Sequence, residues 1–218
     1  MLINDNIIKD IIKGDEEIAR KKREWYPKAV YHLMERGIRR QKIFEDISDY
    51  QVFTELMNTA LKKNRCTVHA YCMMTNHFHL LLETDDIEIA KFMKFLANGY
   101  AIYFNRKYGY TGHLFEGRYK SCIVKDDAYF LHSSRYIHLN PVKAGIVRRA
   151  EEYCWSSYRT LIAMKDDGIT QVNRIWGYFQ GNPPIRYREF VEDIGHKYQI
   201  QENRIEREIG DDNLWLPW

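Results

Sequence analysis

The period of apolar positions changes several times along this chain, and each change marks an element. Ala29-Val30-Tyr31-His32-Leu33-Met34-Glu35 reads as a first strand, followed by a turn at Gly37 and the basic run Arg39-Arg40-Gln41-Lys42. Val52, Phe53, Leu56, Met57, Ala60 and Leu61 then recur at i, i+3, i+4 spacing, which predicts a helix with Ser48 or Asp49 as its cap. Thr67 to Met74 and His77 to Glu83 read as two strands joined by the short polar link Thr75-Asn76, a hairpin. A second long helix runs from about Ile87 to Tyr108, with Ile89, Phe92, Met93, Phe95, Leu96, Tyr100, Tyr103 and Phe104 on its buried side and Gly109 and Gly112 behind it. Tyr119 to Val124 is a further strand. Asp126-Asp127 opens a third helix, expected to stop near Asn140 because Pro141 disfavours helical geometry in the residue before it.

The order strand, helix, strand, strand, helix, strand, helix predicts an α+β fold: a ferredoxin-like antiparallel sheet with helices on one face. On either side of this block the pattern weakens. Residues 1–24 read as a charged helical arm without a core face, 25–162 as the main domain, and 163–218 as a small, mostly helical extension. Within that extension Asn182-Pro183-Pro184 suggests a turn and Ile185 to Tyr198 a short amphipathic helix. The apolar end Leu214-Trp215-Leu216-Pro217-Trp218 is expected to pack on the core or on another subunit.

Composition narrows the functional classes. A chain of 218 residues can bury one good core, and it contains no run of about 18 apolar residues, so membrane insertion is not expected. Cys66, Cys72, Cys122 and Cys154 are scattered, without CxxC pairing, as in a reduced cytoplasmic protein. The net charge of +3 is uneven: Met1 to Met164 carries 26 Lys and Arg against 20 Asp and Glu, and Lys165 to Trp218 carries 7 against 10. The excess cations lie beside aromatic residues, in Arg39 to Phe44, Arg106-Lys107, Arg118-Tyr119-Lys120 and Arg148-Arg149. Nucleic-acid surfaces use that mixture to track the backbone and stack bases, although each cluster alone also fits a solvated face.

The chemistry concentrates in Thr75-Asn76-His77-Phe78-His79. Residues two apart on a strand share a face, so His77 and His79 point together while Phe78 points to the opposite layer. Two imidazoles so placed can grip one cation, or stand as a pair of half-buried structural histidines. On the third helix Tyr136 and Asn140 are four apart and share a face. The Asn140 amide oxygen is a hard ligand suited to Mg²⁺ or Mn²⁺, and the same face would aim the Tyr136 phenol at a phosphate. Packing plus a helix stop accounts for the same spacing.

Several stretches, AVYHLMERGIRRQKIF, YCMMTNHFHLLLE, GHLFEGRYKS, DDAYFLHSSRYIHLNPVKAGIV and YCWSSY, resemble in order the REP-associated and related single-tyrosine transposases among the HUH endonucleases. The resemblance spans about Trp25 to Leu161 and continues more weakly through RIWGYFQ and RYREFVEDIG. It implies that His77 and His79 are metal ligands, Asn140 the third ligand and Tyr136 the nucleophile. The divalent metal would be Mg²⁺ or Mn²⁺, and the substrate single-stranded DNA cleaved and rejoined beside short hairpins through a 5′-phosphotyrosine. One departure is Thr75, where the family commonly has proline. Tyr129, seven residues before Tyr136 and about 10 Å along the helix, is the rival nucleophile.

Arg39, Arg40, Lys42, Arg118 and Lys120 are the expected DNA contacts, and the protein is expected to be a monomer or homodimer without a membrane partner. Two other readings use the same residues: a DNA-binding regulator that keeps the fold without cutting, and a metal-dependent phosphodiesterase whose nucleophile is water. The serines of Trp155-Ser156-Ser157-Tyr158 are expected to cap the core rather than to act in acyl transfer.

Overall fold

A computed structural model describes residues 24–193 and 199–210. Four antiparallel strands, β1 (Val30–Arg36), β2 (Thr67–Met73), β3 (His77–Glu83) and β4 (Lys120–Ile123), form a sheet in the order β2-β3-β1-β4. Two long helices, α1 (Ile47–Asn64) and α2 (Ile89–Tyr108), connect them in the ferredoxin-like manner. Strand alternation sorts the sheet into two faces. Tyr31, Leu33, Phe78, Leu80 and Leu82 turn towards α1 and α2, where they bury against Phe53, Met57, Phe92, Leu96 and Tyr100. Burying each such side chain contributes about 1.5–3 kcal/mol relative to exposure.

The opposite face is also covered. The third helix, α3 (Asp127–Lys143), packs across that side, where Val30, Ala70, Cys72 and Leu81 meet Phe130, Tyr136 and Ile137. A face carrying His32, His77 and His79, each at most 3% exposed, is too apolar between its histidines to be left to water. After α3 come the short helices α4 (Tyr158–Leu161) and α5 (Asn173–Trp176), then α6 (Pro183–Glu192) and α7 (Gln199–Ile209). Tyr187 and Val191 of α6 and Ile205 of α7 join the α3 core.

Element ends differ from the sequence reading for local reasons. The cap of α1 is Asp46 rather than Ser48 or Asp49: its side chain accepts from the Ser48 and Asp49 backbone, and Asp49 in turn accepts from the Asp46 backbone. Pro141 lies inside α3, which continues to Lys143. One missing N–H so near the end leaves the final turn intact, and the Asn140 Nδ2 donates to the Tyr136 carbonyl at 3.0 Å. Asn182-Pro183-Pro184 starts α6 instead of forming a separate turn, with Asn182 as cap and the prolines in the first turn, where no N–H is needed. That helix ends at Glu192, and its expected end, Tyr198, lies outside the described residues. The arm before Glu24 and the Leu214–Trp218 end lie outside the described residues. No helix among the described residues is long and apolar enough to cross a membrane.

Candidate active site

Antiparallel pairing puts the C-terminal end of β1 beside the N-terminal ends of β3 and β4: Arg36 pairs with His77, and Met34 with both His79 and Lys120. The loops leaving that end are tied together. Gly37 N donates to the Asn76 carbonyl at 2.9 Å, Ile38 N to Leu114 O at 2.9 Å, and Glu116 N to Arg36 O at 2.9 Å. The basic turn after β1 and the stretch before β4, separate in sequence, therefore meet at the end of the sheet that carries His77. Gly37 permits the close return, because a Cβ there would collide with the Gln41 carbonyl. Thr75 serves without a proline: its carbonyl accepts from Ile43 N at 2.8 Å and from Phe44 N at 3.1 Å.

His77 and His79 share a face, 5.1 Å apart between ring centres. The His77 Nδ1 lies 2.6 Å from Asn76 Oδ1, which can only accept. That contact puts the ring proton on Nδ1 and the lone pair on Nε2. The Asn140 side chain lies against the same ring, and its Nδ2 is spent on the Tyr136 carbonyl. His77 Nε2 and Asn140 Oδ1 are thus two buried acceptors, and neither makes a hydrogen bond. A proton or a cation would satisfy both. Burial holds the His77 pKa down at about 3, against a smaller upward pull from Asn140, so at neutral pH the proton is the poorer solution. The donor set of two imidazoles and an amide oxygen fits a divalent ion. Among the described residues no cluster of three His, Cys, Asp or Glu side chains could hold a metal.

Tyr136 comes to the same place from α3. Its ring is edge-on to His79 at 5.6 Å and to His32 at 5.8 Å between centres, and it is fully buried. The Lys143 ammonium stands 5.0 Å from the Tyr136 ring centre and pairs with Glu206 of α7 at 3.0 Å. Arg135 faces elsewhere, donating to the carbonyls of Phe190 at 2.9 Å and Asp193 at 2.5 Å. Tyr129 lies under the Arg204 guanidinium at 5.3 Å, where burial, Cys122 and Glu208 raise its pKa.

The basic residues ring the same end of the sheet. Arg39, Lys42, Arg118 and Lys120 are exposed and Arg40 is half-buried. Arg39 and Arg40 adopt left-handed backbone angles, φ 52° and 60°. Lys42 pairs with Glu45 at 3.7 Å, and Lys120 donates to the Gly210 carbonyl at 2.5 Å. A cavity of about 660 Å³ runs past Arg36, Glu116, Arg118 and Lys120 to Glu208 and Gly210.

Three participants escaped the sequence reading. Asn76, inside the quoted motif, holds His77. His32 lies 3.0 Å from His79. His138 approaches Ser157, Nε2 to Oγ 2.8 Å, with its other nitrogen 2.7 Å from the Tyr187 hydroxyl. Both Ser157 and His138 are fully buried, and the Ser157 Oγ also accepts from Tyr71 N at 2.8 Å. This pair stitches α3 to β2, in keeping with a capping role for the serines.

A family model described as "Transposase IS200 like" matches residues 26–140, and the chain belongs to that family. It is a transposase by family, a class of DNA-cleaving enzymes. A solved REP-associated tyrosine transposase, described as bound to a REP hairpin, is 16% identical with a TM-score of 0.57, over 71% of this chain and 90% of that one. That likeness establishes a shared fold. A putative transposase from Deinococcus radiodurans is 22% identical with a TM-score of 0.39, over 50% of this chain and 88% of that one. No curated protein matches the chain.

Proposed function

We propose that this transposase cleaves and rejoins single-stranded DNA beside hairpins through a covalent 5′-phosphotyrosine on Tyr136. The observation that carries the reading is the meeting of Tyr136, His77, His79 and Asn140 from β3 and α3 at one buried point. The Tyr136 oxygen attacks phosphorus as the bond to the 3′ oxygen breaks, and the departing strand takes a proton as its free 3′-OH. An incoming 3′-OH reverses the exchange and releases the phenol, so rejoining needs no nucleotide cofactor. His77, His79 and Asn140 would hold Mg²⁺ or Mn²⁺, which when bound neutralises and orients the scissile phosphate. Arg39, Arg40, Lys42, Arg118 and Lys120 would hold the strand, as suggested by their gathering at the His77 end of the sheet. In this reading residues 25–162 are the catalytic domain and 163–218 an extension. Because Tyr136 is fully buried, DNA can reach it only if its covering moves aside.

A hairpin-bearing single-stranded oligonucleotide, labelled at either end, incubated with Mn²⁺ and run on a denaturing gel tests the proposal. A protein–DNA adduct carrying the downstream label, absent in Tyr136→Phe, is expected. Cleavage without an adduct would mean water is the nucleophile, and binding without cleavage would mean a regulator. Either outcome overturns the reading.

A further inference from the structure

His32 lies on β1, where the register sets it opposite Leu81 and diagonal to His79 on the same face. It is fully buried between apolar neighbours Val30 and Met34, a position where an aliphatic side chain would cost nothing in desolvation. Its Nε2 is 3.0 Å from the Nδ1 of His79, and its own Nδ1 makes no hydrogen bond. The ring also touches the edge of Tyr136.

The two histidines of the motif are held alike. Each has its Nδ1 engaged from the side, His77 by the Asn76 amide oxygen at 2.6 Å and His79 by His32 at 3.0 Å. The Asn76 Oδ1 can only accept, so it fixes the His77 tautomer outright. His32 does the same for His79 when its Nε2 carries the lone pair and its Nδ1 the proton. His79 then donates from Nδ1 and keeps Nε2 free of a proton, the form that binds a cation. We propose that His32 is a positioning residue that fixes the tautomer and ring plane of His79 for metal binding. This rests on the metal-site reading above.

The test is a Mn²⁺ titration of the full chain without DNA, by calorimetry or by the electron paramagnetic resonance signal of free Mn²⁺. Hairpin binding in EDTA is measured in parallel. His32→Phe keeps a ring against Tyr136 but loses the acceptor; His32→Gln restores an oxygen able to accept from His79 Nδ1. His32→Phe is expected to weaken Mn²⁺ binding about 10- to 100-fold, with hairpin binding in EDTA unchanged and much of the Mn²⁺ affinity recovered in His32→Gln. Saturating Mn²⁺ should then return most of the cleavage rate to His32→Phe. Wild-type Mn²⁺ affinity in His32→Phe would overturn the inference, as would equal losses in both variants, which mark a packing role only. A wild-type protein that takes up no Mn²⁺, or takes it up equally after His77→Ala, would instead remove the metal site itself.

Discussion

The phenol ring of Tyr136 stands edge-on to the imidazole of His79, 5.6 Å between ring centres, on a face of the sheet that also carries His32. Replacing the phenol by phenyl leaves those ring contacts in place. Tyr136→Phe is therefore expected to fold and bind hairpin DNA like the parent, with cleavage down on the order of 10⁴-fold or more and no covalent adduct. Tyr129 sits under Arg204 and beside Cys122, so Tyr129→Phe should still form the adduct. Denaturing gels of the two variants side by side check both statements, and an adduct that disappears only in Tyr129→Phe would transfer the role to that residue.

The alternation in Thr75 to Glu83 announced which side His77 and His79 share, because side-chain direction on a strand depends only on the backbone. The period and glycine stop of α2 were equally legible, since a helix face needs no distant partner. His32 was not. Its partnership depends on the β1–β3 register, which sets His32 diagonal to His79, and register is a property of two segments. Nor could the sequence say that α3 crosses the far face, where Tyr136 and Ile137 join the core and the Tyr136 ring meets His79. The convergence of the Arg39 turn with the Arg118 stretch rests on backbone bonds such as Ile38 N to Leu114 O, to which side-chain identity is nearly indifferent.

The two polar atoms of the Asn140 amide can be separated by substitution. Its Nδ2 closes the helix turn on the Tyr136 carbonyl, and its Oδ1 lies against His77 without a hydrogen bond. Asn140→Ala should cost about 1 kcal/mol of stability from the first and lose Mn²⁺ binding from the second. Asn140→Asp should lose the donor but hold Mn²⁺ at least as well, because a carboxylate is also a hard ligand. Chemical denaturation alongside Mn²⁺ titration reads the two separately; unchanged Mn²⁺ affinity in Asn140→Ala would count against the amide as a ligand.

Acid stability should depend on Asp49. Burial alone would raise its pKa, but the Lys107 ammonium at 2.7 Å, the Glu45 backbone and the Tyr108 hydroxyl at 2.8 Å together hold it below the usual carboxylate value. A carboxyl depressed in the folded state stabilises it above the unfolded value near about pH 4 and loses that contribution as pH falls further. Urea midpoints of the parent should therefore drop below about pH 4, and Asp49→Asn should show a shallower drop. At pH 7 the same variant should be less stable by on the order of 2–3 kcal/mol, because the cap of α1 and the Lys107 contact are both weakened. Parallel pH profiles for the two proteins would show that Asp49 is not the group responsible.

Arg118 offers a test of strand contact that leaves the chemistry alone. It is exposed beside the cavity that runs from Arg36 to Gly210, and its guanidinium is available to a phosphate without breaking any part of the fold. If it neutralises one backbone phosphate, Arg118→Ala should weaken hairpin binding uniformly across loop sequences and lower the slope of log affinity against log salt by about 1. A contact to a base would behave otherwise, changing preference among sequences with little effect on the slope. Binding isotherms in EDTA at several salt concentrations, on hairpins that differ only in their flanking bases, distinguish the two. No change in either quantity would remove Arg118 from the path of the strand, and would leave the Arg39 turn as the surface to test next.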